Sequence, residues 1–116
     1  MLITLLKAKI ANAKVTQAEL YYEGSISIDR KVLEAAGILP YEKVEVLNIN
    51  NGSRIETYAI EAKAGSGVVC LNGPAARSGC VGDRLIIVNY ALVDQAKAQE
   101  NKPKIVVLDD QNKIKN

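Results

Sequence analysis

The stretch Lys43-Val44-Glu45-Val46-Leu47-Asn48-Ile49-Asn50-Asn51-Gly52-Ser53-Arg54-Ile55-Glu56-Thr57-Tyr58-Ala59-Ile60-Glu61-Ala62 reads as two strands joined by a turn. Residues 43–49 alternate apolar and polar side chains, the period of a half-buried strand. Asn51-Gly52 accepts the positive φ angles of a tight primed turn, and residues 50–53 therefore predict a hairpin. On the return strand, residues 54–62, Arg54, Glu56, Tyr58 and Ile60 face one way. Ile55, Thr57, Ala59 and Glu61 face the other.

Short strands extend outward from this hairpin on both sides. Residues 2–10 predict a strand with Lys7 and Lys9 on one face, and residues 15–22 a second, broken extended segment. Residues 27–28 are briefly extended. Asp29 then reads as an N-cap, Val32, Leu33 and Ala36 as a narrow helical stripe, and Gly37 as its end. After the hairpin, residues 68–71 and 85–90 predict buried strands. Between them, Asn72-Gly73-Pro74-Ala75-Ala76 predicts a turn entering a single helical turn. Asp94 caps a weak helix to about residue 101, Pro103 stops it, residues 105–108 form a last strand, and residues 109–116 a frayed polar tail. Many short strands, glycine-rich turns and two or three short helices predict a mainly β domain, a small β-barrel. The chain shows no repeat, linker or second domain, so residues 1–116 are expected to form one domain.

Composition limits the chemistry. The 116 residues contain five Tyr but no Trp, Phe or His, so aliphatic side chains must fill the core. A net charge of +2, without a basic patch interleaved with aromatics, points to neither nucleic acid nor a membrane surface. The N-terminus lacks the layout of a signal peptide, and no apolar run approaches the ~20 residues of a membrane span. A cytoplasmic protein with reduced cysteines is expected. Cys70 and Cys80 lack metal-site spacing, no metal is expected, and both read as small buried hydrophobes. Without histidine, serine- and cysteine-protease arrangements are excluded. Any catalyst here must use Lys, Arg, Tyr, carboxylates, backbone, or a group acquired after synthesis.

One set of segments points to such a group. In order they are Lys7-Ala8-Lys9-Ile10, Val15-Thr16-Gln17-Ala18-Glu19-Leu20, Tyr22-Glu23-Gly24-Ser25, Ala35-Ala36-Gly37-Ile38-Leu39, Asn51-Gly52-Ser53-Arg54, Thr57-Tyr58-Ala59-Ile60, Asn72-Gly73-Pro74-Ala75-Ala76-Arg77 and Val81-Gly82-Asp83. None is specific alone. Together they span nearly the whole chain, and the chain resembles the pyruvoyl-dependent aspartate 1-decarboxylases.

That resemblance implies a double-psi β-barrel assembled as a homotetramer, with sites at subunit interfaces. It implies self-cleavage between Gly24 and Ser25, into residues 1–24 (the β chain) and 25–116 (the α chain). Ser25 becomes a covalent pyruvoyl group that forms a Schiff base with the substrate amine. Thr57 assists cleavage by bonding the developing oxyanion. Arg54 and Lys9 match cations for the two substrate carboxylates, and Tyr58 matches the proton donor. Thr57, Asn72, Gly73, Pro74 and Ala75 line the substrate. The implied activity is decarboxylation of L-aspartate to β-alanine and carbon dioxide, for pantothenate and coenzyme A synthesis, and it leaves room for an accessory maturation factor.

The chain departs from the family at four places. Ala11-Asn12 stands where His-Arg is common, and Pro74 stands where Ala is common, which removes a backbone N–H. Glu19 stands for Asp, and Leu47 for an aromatic. Two alternatives remain: a β-barrel that binds partners without cleaving, and a pyruvoyl decarboxylase of another amino acid.

Overall fold

A computed structural model describes residues 1–116. Eight strands make up most of the chain: β1 Leu2–Lys14, β2 Gln17–Glu19, β3 Ser25–Asp29, β4 Lys43–Asn48, β5 Arg54–Ala62, β6 Val69–Asn72, β7 Arg84–Asp94 and β8 Lys104–Val107. One α-helix, α1 Arg30–Ala36, and two 3-10 segments, Gly73–Ser78 and Gln95–Glu100, complete it. The strands form one sheet in the order β2-β6-β3-β5-β4-β7-β1-β8. The sheet is not closed, because β2 and β8 stand at its two ends. Parallel pairs, β3 with β5, β2 with β6 and β1 with β8, are mixed with antiparallel ones.

The central hairpin forms as its pattern dictates. β4 and β5 pair antiparallel from Lys43 opposite Tyr58 to Leu47 opposite Arg54. The turn is wider than the primed two-residue type. Only Gly52 has positive φ (77°), and the Asn48 carbonyl accepts from Gly52 N while Asn48 N donates to Ser53 O. The Asn48 side chain accepts from Asn50 N at 2.8 Å, which holds the wider loop in place of the primed turn.

The helix follows its capping signals. Asp29 Oδ1 accepts from Lys31 N, Val32, Leu33 and Ala36 are buried, and Gly37 ends the helix at φ 70°. Ile10, Ile26, Ile28, Leu33, Leu85 and Ile87 are among the fully buried side chains of a single aliphatic core, the direct result of a chain without Phe or Trp.

Three further expectations need correction. β1 runs to Lys14, four residues beyond its predicted end. Irregularities between Leu6 and Ala8 and between Ile10 and Ala13 interrupt its pairing with β7, and Asn12 takes φ 64°. The second bulge resets the alternation, so Ala13 and Val15 are buried although they fall out of phase with Ala8 and Ile10. Residues 109–116 do not fray. Asn112 is buried, accepts from Lys14 N and donates to the carbonyls of Lys14 and Gly67. Asn116 bonds both Val107 N and the Ile105 carbonyl. The tail's polarity reflects side-chain amides that satisfy backbone groups. Finally, Cys80 is exposed while Cys70 is buried, because Cys80 sits in the turn that Asp83 closes by accepting its backbone N–H.

Asp29 also braces the connection to β6. Burial alone would raise its carboxyl, but the backbone N–H groups of Gly67, Gly65 and Lys31, with the Lys113 ammonium, outweigh that and hold it below its ordinary value of 3.8. A carboxyl depressed by folding stabilises the fold above its unfolded value and loses that contribution as pH falls. Asp29→Asn is expected to cost about 1–3 kcal/mol at neutral pH. In urea unfolding, the gap between wild type and variant should narrow as pH drops below 3.8. A gap that stays constant down to pH ~2 would contradict this account.

Candidate active site

The Gly24-Ser25 junction lies where an exposed turn meets a buried strand. Residues 20–23 form that turn, with Tyr22 N bonded to the Glu19 carbonyl. Ser25 opens β3 and is 1% exposed. β3 pairs antiparallel with β6, placing Ser25 opposite Asn72 and Ser27 opposite Cys70. Since alternate residues share a face, these four polar side chains stand together, while Ile26 and Leu71 of the same pair enter the core. Asn72 Nδ2 donates to Ser25 Oγ at 3.0 Å and to Ser27 Oγ at 2.8 Å.

β5 flanks β3 on the other side, in parallel, with Ile26 level with Ala59. One step earlier, Ser25 is level with Tyr58. Two cavities meet there. One is lined by Gly24, Ser25, Thr57, Tyr58, Pro74 and Ala75, among others. The other is lined by Tyr22, Glu23, Ser25, Tyr41, Tyr58 and Glu61, among others. Ser25 and Tyr58 belong to both. The Tyr58 ring packs against Tyr41, centroids 6.2 Å apart and planes tilted by 36°.

Close packing behind the serine falls on Gly73. Gly24 does not take a positive φ, whereas Gly73 does (62°). A Cβ on Gly73 would lie 2.7 Å from the Tyr22 carbonyl oxygen and 2.9 Å from Gly24 Cα. Positive φ without a Cβ at Gly73 lets the 3-10 segment press its backbone against the junction. Pro74 Cδ would meet a Gly24 Cβ at 3.4 Å.

The fold thus brings together Gly24, Ser25, Thr57, Tyr58, Asn72, Gly73, Pro74 and Ala75. It does not bring Lys9 or Arg54 to them. Lys9 lies on β1 between Val88 of β7 and Ile105 of β8, with β7 and β4 separating β1 from β5. Arg54 is four residues from Tyr58, about 13 Å along the strand, and pairs with Glu45 at 3.2 Å. No Lys or Arg lines either cavity; Glu23, Glu61 and Glu56 do. Sequence reasoning missed Cys70, Ser27 and Tyr41. The i, i+2 spacings Ser25/Ser27 and Cys70/Asn72 carry the signal for the first two, because that spacing puts them on one strand face.

Fold and cleft define a small double-psi β-barrel with a buried serine at the junction of two cavities. A rationally designed protein, mkDPBB_sym_86, superposes with TM-score 0.50 at 22% identity, covering 66% of this chain and 90% of its own. The family described as Aspartate decarboxylase matches residues 1–115. A protein of Maricaulis maris named Aspartate 1-decarboxylase is 58% identical over 114 residues, covering 98% of this chain and 94% of its own. A protein of Salinibacter ruber with the same name is 52% identical over 112 residues, covering 97% and 77%. The chain belongs to the aspartate decarboxylase family of enzymes.

Gly73→Ala must place a Cβ at positive φ against two backbone atoms. A loss of about 2 kcal/mol or more in urea unfolding is expected; an unchanged midpoint would show that the 3-10 segment does not press on the junction as described.

Proposed function

We propose that this chain cleaves itself between Gly24 and Ser25 and then decarboxylates L-aspartate to β-alanine. The observation that carries the reading is a fully buried Ser25 hydroxyl beside Gly24, at the meeting point of two cavities and hydrogen-bonded by Asn72.

Ser25 Oγ attacks the Gly24 carbonyl carbon, the amide C–N bond breaks as the hydroxyl proton passes to the residue 25 nitrogen, and an ester and a free amine form. Thr57, in the same cavity as Gly24, is the donor to the carbonyl oxygen as charge develops on it. Loss of the residue 25 Cα proton then breaks the Cβ–Oγ bond and releases the Gly24 carboxylate. Asn72 Nδ2 already donates to that departing oxygen, so negative charge forms where a donor waits. The dehydroalanine left behind rearranges to an imine, takes up water and loses ammonia, leaving a ketone. Residues 1–24 and 25–116 become separate chains of one domain.

The surroundings of position 25 fit a pyruvoyl group: the position is buried, with the Asn72 amide donor at one side and Thr57 and Tyr58 among the residues that line the adjoining cavity. Once formed, that group supplies the electron sink for decarboxylation of an amino acid. Tyr58, whose backbone is level with residue 25 in the β3–β5 register, is the proton donor: its Oη would deliver a proton to the carbon that loses carbon dioxide. Pro74 contributes no N–H, so the backbone donors of that turn are its neighbours.

A dicarboxylate cannot be held by a cleft whose only charged lining groups are glutamates. Lys9 and Arg54 are exposed or half-buried and lie outside it. We infer that a second copy supplies them, Arg54 giving the bidentate clamp of a guanidinium, within a homotetramer. Production of β-alanine suits a cytoplasmic enzyme supplying pantothenate and coenzyme A, with an accessory maturation factor where cleavage is slow.

Ser25→Ala is expected to remain a single species by intact mass and to release no carbon dioxide from aspartate; turnover by that variant contradicts the proposal. Tyr58→Phe is expected to cleave normally and to lose most of its turnover, about 100-fold or more; wild-type kcat would remove Tyr58 as the donor. Co-assembly of Ser25→Ala with Arg54→Ala chains, each inactive alone, is expected to restore activity, and no recovery would place the clamp within one chain.

A further inference from the structure

The self-cleavage proposed above needs Asn72 to present its N–H, not its carbonyl, to Ser25, because the Ser25 oxygen leaves as part of a carboxylate. A carboxamide can be seated either way round. The two serine hydroxyls do not choose between the seatings, since each can rotate to donate or accept. Something else in the buried cluster must choose.

Cys70 Sγ lies 3.1 Å from Asn72 Oδ1. Cys70 is 5% and Asn72 2% exposed, so water does not compete for either group. A thiol is a donor and only a weak acceptor. With the amide as seated, Oδ1 takes the thiol proton, and the two Nδ2 protons go to Ser25 Oγ and Ser27 Oγ. Reversed, the amide would turn its NH2 onto sulfur and lose the thiol's donation. Burial first, then the Glu19 carboxylate, push the Cys70 thiol above its ordinary value, which keeps it protonated and able to donate.

We propose that Cys70 is a positioning residue for maturation: its thiol donates to Asn72 Oδ1 and thereby fixes Asn72 Nδ2 on the oxygen of Ser25. The inference rests on the self-cleavage reading and adds to it. It assigns chemistry to a cysteine whose burial alone suggests only packing, and it predicts that a hydroxyl can replace the thiol while an apolar side chain of similar size cannot.

The test uses the full chain made by cell-free translation and sampled over time by intact mass, as wild type, Cys70→Ser, Cys70→Ala and Cys70→Val. Thermal midpoints are compared with each change placed on the uncleaved Ser25→Ala background. Cleavage at a near-wild-type rate is expected for Cys70→Ser, and rates about fivefold lower or less for Cys70→Ala and Cys70→Val, the size of one lost orienting hydrogen bond. Cys70→Val keeps the volume if Cys70→Ala fails to fold. Wild-type rates in either folded apolar variant overturn the role of Cys70 and leave self-cleavage standing. Equal slowing of all three variants, in step with their midpoints, reduces Cys70 to packing and also overturns it. A wild-type chain that never separates into residues 1–24 and 25–116 overturns the cleavage reading, and this inference with it.

Discussion

The antiparallel register of β3 against β6 is the constraint on which everything else here depends. Placing Ser25 opposite Asn72 settles which side chains share a face, which atoms donate to the serine oxygen, and which backbone presses on the bond before it. A shift of one residue would turn Ser25 and Asn72 into the core and Ile26 and Leu71 into the cleft. The apolar face of the same pair prevents that shift, since Ile26, Ile28, Val69 and Leu71 are all buried in the central core. The stability of the domain and the placement of Ser25 are thus two faces of one strand pair.

The cleft is finished by elements that arrive from elsewhere in the sequence. Parallel pairing with β5 brings Tyr58 level with Ser25, and the hairpin with β4 fixes the register of β5 in turn. Tyr41, which follows α1, takes φ 70° and packs on Tyr58. Its backbone N–H bonds the Ala59 carbonyl at 2.7 Å. Glu42 anchors the same loop, accepting from Leu39 N and from Asn89, and pairing with Lys7. Rigid support around a reactive group is what orientation-dependent chemistry requires. The charged side chains that line the two cavities are Glu23, Glu61 and Glu56.

Much of this was legible in the sequence, and the exceptions share a cause. The β4–β5 hairpin and the capped helix α1 announce themselves through local signals: alternation around Asn-Gly, and Asp29 and Gly37 bracketing an apolar stripe. The grouping of Gly24, Ser25, Thr57, Tyr58 and Asn72 came from family resemblance, because no local pattern joins residues 47 positions apart. The far end of β1 was hidden by a bulge that breaks the alternation on which strand reading relies. The ordered tail was hidden because Asn112 and Asn116 hold it through amide hydrogen bonds, which leave no apolar period. Exposed Cys80 and bonded Cys70 look alike in composition. Only the pairing partner, a turn in one case and Ser27 in the other, separates them.

The central claim is that residue 25 ends as a ketone at a new chain terminus in the active protein. Purified enzyme turning over aspartate should be treated with phenylhydrazine and its fragments weighed. The account predicts one hydrazone on the 25–116 fragment, located at residue 25, with activity lost in proportion to labelling. Active protein that takes up no label, or that decarboxylates aspartate as an intact 116-residue chain, would contradict it.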